Sequence, residues 1–456
     1  MDLFGITLDD AQVKSIKDEA DVVLVSAGAG SGKTQTILGK VKYLIEEKNI
    51  KEDEILCISL TNETVNNLKV KLEKLNYKIE VKTFHKLGLS LLDQKYEIVS
   101  DNTLKYIIQE YMLSFIKNNK IRNKIIKRIF FTEKSVDKIL KTKDYIELRN
   151  VIETFIKYIK SNDLDIRKLL EWRLDYINKE ILRIIIEVYI LYTEELLSTG
   201  KIDFDDMIKI ASLNKVKVNY KYIIIDEFQD TSVLRLNLIK NILKYNKVKL
   251  FLVGDDWQSI YAFSGCTLDI FVNLDKYLGS VNYHQLVYTY RNSQELITAS
   301  GNFVMRNKYQ LKKTILSKTN EEKPIVILYG YKLENVLDYV KGDIMVIGRC
   351  NKDIENINWD NKYTIHKSKG LEADNVVLVN SDNIPFMHKS HKLLDYFLKN
   401  NEGIKYPEER RLFYVALTRT KHKIYIMVNN NESIFVKELK RKYKEFITIK
   451  KNGSPF

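Results

Sequence analysis

The chain has 456 residues, 45% of them hydrophobic and 29% charged, with only 4 prolines, a composition suited to several packed domains rather than a small module or a disordered linker. The most apolar stretch, "ILRIIIEVYILY", is broken by Arg183 and Glu187, and the opening "MDLFGITLDD" lacks the basic-then-apolar order of a signal peptide, so no membrane partner and a cytoplasmic location are expected. A formal charge of +14 favours a polyanionic partner without identifying it, while Cys57, Cys266 and Cys350 lack metal or redox spacing and read as reduced, buried residues.

The first predicted strand is "VVLV" (22–25), which runs through a turn of small residues into a helical pattern with Ile37, Leu38, Val41, Leu44 and Ile45 on one side. This is the context that a phosphate loop requires. Gly28, Gly30 and Gly32 let the backbone fold closely around phosphate oxygens, and the amide N–H groups and helix start supply positive potential. Lys33 would reach the β- and γ-phosphates of ATP, and Thr34 would coordinate Mg2+. Ala27 stands where the first outer glycine of the general pattern falls, a variant that a loop backbone accommodates. The strand "EILCISL", a helix to about residue 75 and the short strand "IEVKT" continue the alternation, which argues for a mostly parallel sheet covered on both faces.

From 86 to 202 the pattern changes to long helical segments, including "NTLKYIIQEYMLSFIKNN" and "KEILRIIIEVYILYTEEL", and reads as a helical insertion. Its stretch 111–130 holds six Lys/Arg and no acid, which suits either a phosphate-tracking surface or a solvated helix face. Strands return with "YIIIDEFQD", in which Tyr222 to Ile225 would carry Asp226 and Glu227 out beside the phosphate loop. Asp226 suits Mg2+ binding; Glu227 suits orienting and deprotonating an attacking water. The strand "KLFLVG" ends in "DDWQSIYAFSG", where Gln258 offers a neutral amide able to sense the γ-phosphate. A second α/β unit is expected from about 280, with "VNYHQLVYT", "KPIVILYG", "DIMVIGRC", "YTIHKSKG", "NVVLVN" and "KIYIMVN" as its strands.

On these motifs the chain resembles superfamily 1 DNA helicases of the UvrD/Rep type from Gln12 to Lys421, and "VGDDWQSIY" and "HKSKGLEADNVVLV" resemble the bacterial DNA helicase IV subgroup or short UvrD-like proteins of phage defence. The resemblance implies an α/β fold of two RecA-like P-loop NTPase domains, the first from 1–85 and 203–279, a helical accessory subdomain over 86–202, and the second over 280–456. A second accessory subdomain, which would follow the strand ending near Arg349, is reduced to 351–363. By resemblance Gln12 reads the adenine edge, Tyr290 stacks on adenine, Arg291 and Arg419 face the γ-phosphate, and Glu372 meets the ribose. Arg411 takes a structural role. Thr61, Asn62, Thr83, Phe84 and His85 match segments that track single-stranded DNA, and His366 lies in a segment coupling nucleotide to DNA. Asp203 to Asp206 match the segment that returns the chain to the first domain. Phe263 replaces the usual tryptophan but keeps a ring for base stacking, whereas Leu60 replaces an aromatic residue and makes one base pocket shallower. The implied activity is ATP-dependent 3′-to-5′ DNA helicase or translocase on single-stranded or 3′-tailed DNA, with ATP and Mg2+. The alternative is a DNA-stimulated ATPase subunit regulating a partner nuclease in DNA repair or phage defence.

Overall fold

The apolar runs Val22–Ser26, Ile55–Ser59, Tyr222–Ile225 and Lys249–Gly254 are strands buried on both faces, as expected of the centre of a parallel sheet. With two edge strands they form a six-stranded, all-parallel sheet in the order Asn282–Gln285, Val22–Ser26, Lys249–Gly254, Tyr222–Ile225, Ile55–Ser59, Glu80–Thr83. Alternate side chains feed opposite layers: Val22, Leu24, Leu56 and Ile58 join one core, Val23, Val25, Ile55 and Cys57 the other. The structure, a computed structural model, describes residues 2, 3, 6–116, 118–121, 123, 124, 143–386 and 402–452.

The segment "VNYHQLVYT", expected to open the second sheet, is instead divided. Asn282–Gln285 pairs with Val22–Ser26 as an edge of the first sheet, and Tyr288–Thr289 pairs with Leu316–Ser317 in a small ribbon. An edge strand needs little apolar burial, so its polar residues gave no sign of which sheet it would join. The second sheet is also six-stranded and parallel, in the order Lys362–Thr364, Ile344–Gly348, Asn375–Leu378, Ile424–Val428, Ile325–Tyr329, Ile447–Lys451. Its last strand, Ile447–Lys451, was not expected, because a half-exposed edge ending in two lysines carries only a weak period. Helices Gln294–Val304 and Pro407–Leu417 supply Leu296, Phe303, Phe413 and Val415 to the core beneath this sheet.

Helices Asp101–Tyr111, Lys143–Ser161 and Tyr176–Thr199 build a separate core of residues such as Ile108, Phe155, Ile181 and Ile185. They are inserted in the first unit at a parallel pair, Glu97–Ile98 beside Lys201–Ile202. Of the basic stretch 111–130, residues 117, 122 and 125–130 lie outside the described residues, and with them Lys117, Arg122, Lys127 and Arg128. Among the described residues no helix is long and apolar enough to cross a membrane. Cys57 and Cys266 are buried, but Cys350 is only half-buried, since its backbone and thiol cap the short helix that starts at Asn351 through Asp353.

Candidate functional site

The phosphate loop connects the end of Val22–Ser26 to helix Lys33–Glu46. Gly30 and Gly32 have φ of 69° and 80°, the left-handed region that side chains resist. Both are also crowded: a Cβ at Gly30 would lie 2.5 Å from Arg291 Cβ, and one at Gly32 would lie 2.7 Å from Gln12 Nε2. Ala27 keeps an ordinary backbone and donates its N–H to the Gly254 carbonyl at 2.9 Å, which explains why alanine suffices there. Gly28 packs towards Ile315. Gln12 Nε2 reaches the Gly32 carbonyl at 3.4 Å and Thr36 Oγ1 at 3.3 Å. Tyr290 donates its N–H to the Gly30 carbonyl at 2.8 Å and its hydroxyl to Asp9 at 2.9 Å, leaving the ring exposed on the rim beside Gln12. Thr34 lies half-buried in the first turn of the helix.

The acids follow from a bend. Glu227 has φ of 52°, a left-handed conformation that costs a non-glycine residue roughly 1–2 kcal/mol and turns the chain sharply at the end of Tyr222–Ile225. Its Oε1 meets Lys33 Nζ at 2.7 Å, and its Oε2 accepts Gln229 Nε2 at 2.6 Å and faces Lys369 Nζ at 3.7 Å. Burial alone would raise its pKa; Lys33, then Lys369, hold it well below the usual carboxylate range. Asp226 behaves oppositely, because burial and then the Glu227 charge push it up to about 6, against the Lys33 charge and a hydrogen bond accepted from the Glu227 N–H at 2.9 Å. A half-buried carboxylate facing a like charge, with the Thr34 hydroxyl in the first turn of the helix after the phosphate loop, is a donor set that a divalent cation would relieve.

Gln258 is held at both ends. Its Nε2 donates to Asp255 Oδ2 at 2.5 Å, and its Oε1 accepts Arg419 Nη2 at 3.0 Å. Arg419 comes from the second unit and is 1% exposed; burial, then the charge of Arg291, lower its pKa to about 9, so it remains a cation at neutral pH. Arg291 Nε donates to Glu372 Oε2 at 2.7 Å, so two residues expected at the γ-phosphate and the ribose are here paired with each other. Arg411 is buried, donating to the Ser259 carbonyl at 2.6 Å and pairing with Glu402, which fits a structural role. Two lysines that sequence reasoning missed also cross between the units. Lys369 Nζ lies 2.5 Å from Asp230 Oδ2 and 2.9 Å from the Gln258 carbonyl, and the buried Lys313 pairs with Asp255 and Asp256. The "HKSKG" stretch carried a signal for the first; nothing local marked the second.

Farther from the loop, Phe263 is 43% exposed, its ring edge-on to His366 at 5.5 Å and to Tyr261 at 5.9 Å. That cluster also spans both units. Thr61 caps helix Asn62–Glu73 and is exposed together with Asn62. Thr83, by contrast, is buried and caps helix Phe84–Ser90. Phe84 corrects the expectation of a residue open to nucleic acid, because its ring is 5% exposed in the core, with the Arg235 guanidinium 5.8 Å from its centroid. His85 packs on Phe204 at 5.0 Å, and burial, then the charge of Arg235, hold its pKa at about 4, so the imidazole is neutral.

The family described as UvrD/REP helicase N-terminal domain matches residues 8–278, and the UvrD-like helicase C-terminal domain matches residues 361–431. The chain is similar to DNA helicase IV of Escherichia coli, 28% identical over 479 residues covering 95% of this chain and 70% of that protein. It is 29% identical over 359 residues to a probable DNA helicase II homolog of Mycoplasma capricolum, covering 74% of this chain and 46% of the relative. Similarity to the ATP-dependent DNA helicase Rep of Buchnera aphidicola is 27% over 344 residues, or 72% and 50% of the two chains. The matches thus span about half the length of the latter two relatives.

Proposed function

The chain belongs to the UvrD/REP helicase family, and from that membership, which carries two RecA-like α/β domains and an ATP-dependent helicase-type activity, we propose that it hydrolyses ATP to move 3′ to 5′ along single-stranded DNA and open 3′-tailed duplexes. The observation that carries this reading is the 3.0 Å bond from Arg419 of the second domain to Gln258 of the first, beside the Lys33–Glu227 pair. A cation from one domain already meets the strand end that faces the other domain's acids.

In the proposed cycle ATP draws Lys33 from Glu227 to its β- and γ-phosphates, and the freed carboxylate takes a proton from the attacking water. Oxygen bonds to the γ-phosphorus as the bond to the β,γ-bridging oxygen breaks, releasing ADP. Thr34 and Asp226 would hold Mg2+, which would neutralise charge on the phosphates. Gln12 and Tyr290, flanking Gly32, bind the adenine by its edge and face. Arg291 parts from Glu372, which turns to the ribose, and joins Arg419 in stabilising charge on the transferring group. Thr61 and Asn62 mark the DNA path on the first domain, Thr83 and His85 support it from beneath by capping and packing, and Phe263 with His366 stacks bases where the domains meet.

One observation favours a second reading. Between Ile344–Gly348 and Lys362–Thr364 there is a single short helix, Asn351–Ile354, where larger helicases of this type are expected to carry a second accessory subdomain. Such a motor suits a DNA-stimulated ATPase subunit that regulates a partner nuclease. ATP turnover with and without single-stranded DNA or RNA, paired with unwinding of a 3′-tailed duplex, separates the two. Stimulated turnover with strand displacement supports the helicase; stimulated turnover without displacement supports the subunit, and no turnover removes both.

A further inference from the structure

Lys313 has no role in the cycle above, yet few lysines among the described residues are so deeply placed. It lies between helix Gln294–Val304 and strand Ile325–Tyr329 of the second domain, and its ammonium reaches into the first. Nζ donates to the Ala27 carbonyl of the phosphate loop at 2.8 Å and pairs with Asp255 Oδ1 at 2.5 Å and Asp256 Oδ1 at 2.6 Å. The lysine side chain is 1% exposed and both acids are 0% exposed, with the Trp257 ring 5.0 Å from the ammonium. Stripping water from one cation and two anions is costly, and an apolar cluster would hold two domains together at least as well.

What the ammonium fixes is an orientation. Asp255 Oδ1 is occupied by Lys313 and by the Trp257 N–H at 3.1 Å, so Oδ2 is the oxygen turned to Gln258, whose Nε2 donates to it at 2.5 Å. With its NH2 end committed, the Gln258 amide presents its oxygen to Arg419 Nη2, at 3.0 Å. We propose that Lys313 is a positioning residue for ATP hydrolysis, fixing through Asp255 which end of the Gln258 amide meets Arg419. The inference rests on the ATPase reading above and adds to it the device that sets the polarity of the contact between the domains.

The test uses Asp255→Asn in the full chain, alone and combined with Lys313→Met. In the single variant Lys313 and the Trp257 N–H both still require an oxygen at the Oδ1 position, so the new NH2 faces the NH2 of Gln258. That amide must turn over and oppose its donors to those of Arg419. We expect kcat of DNA-stimulated ATP hydrolysis to fall by about tenfold or more, with KM for ATP within about threefold, because the phosphate cradle is untouched. Removing Lys313 as well leaves only the long Trp257 N–H contact, at 3.1 Å, to hold the new amide, which can then rotate, and the double variant recovers roughly threefold or more of kcat. A lysine that only stabilised the fold would make the double variant slower than the single. Native turnover in the single variant, or a double variant no faster than the single, overturns the proposal. Should the double variant fail to fold, a crystal structure of the single decides: a Gln258–Arg419 contact opened beyond hydrogen-bonding distance supports the relay, and a kept contact overturns it. Turnover of the native chain, measured beside that structure, separates the two readings: its absence removes the ATPase reading and the relay with it, whereas native turnover with a kept contact in the single variant removes the relay alone.

Discussion

Glu227 is ionised because it lies between Lys33 and Lys369, and a carboxylate so paired is a poor proton acceptor until one cation is drawn away. A phosphate in the loop would do so, which ties the onset of base strength to the arrival of substrate. Glu227→Gln keeps the size and the hydrogen-bonding edge while removing the basic oxygen. It should leave ATP affinity within about threefold and lower kcat by roughly 10²- to 10⁴-fold, measured by nucleotide titration beside phosphate release. Undiminished turnover would assign the base elsewhere. Lys33, Asp226, Glu227 and Gln258 were legible in the sequence because each follows an apolar strand within a few residues, so local pattern alone places them together. Lys313 was not, because a lysine's partner is set by tertiary packing, and in a chain with 74 Lys and Arg nothing nearby distinguishes it; Lys369 lay within the legible "HKSKG" stretch, but its partners in the first domain are set by the same packing.

At the scale of elements, the helical insertion is tied to helix Phe204–Leu213 of the first domain by a charged cluster. Lys160 Nζ pairs with Asp203 at 2.6 Å and Asp206 at 2.8 Å, and Ser161 Oγ donates to Asp205 at 3.1 Å. Lys160 pairs with two of the three acids and leaves Asp205 to the Ser161 hydroxyl, so burial, then the Asp203 charge, raise the pKa of Asp205 from 3.8 to about 6. A carboxyl whose folded pKa is raised binds its proton more tightly when folded. Its ionisation therefore costs stability as pH rises from the unfolded value towards about 6, and the cost is complete above that. Asp205→Asn should raise unfolding stability by about 1–3 kcal/mol near pH 7.5, a gain absent near pH 3.5, read from urea curves at the two pH values. An equal gain at both would show that packing, not charge, is responsible. Central strands and long helices were readable because a strand buried on both faces is apolar throughout and a helix repeats its apolar positions. Asn282–Gln285 and Ile447–Lys451 escaped because edge strands have one neighbour, and their sheet is chosen by where the chain has already been laid.

For the whole molecule, a formal charge of +14 and a ring cluster at the domain junction would contribute to DNA binding in ways that salt can separate. Each phosphate neutralised on a single strand lowers log K by about 0.7 per log unit of salt, whereas a ring stacked on a base contributes roughly 1–3 kcal/mol that salt hardly alters. Phe263→Ala should therefore weaken single-stranded DNA binding by about 5- to 150-fold at every salt concentration and leave the slope unchanged, as measured by fluorescence anisotropy. The ring packs against His366 and not against the Lys33–Glu227 pair, so basal ATP turnover should stay within about twofold while stimulation by DNA falls. A reduced slope would show that Phe263 acts by placing cations on phosphates. Equal losses in basal and stimulated turnover would mean instead that the ring holds the two domains together, because Phe263 and His366 belong to different domains and a packing defect there would reach the Arg419–Gln258 contact as well.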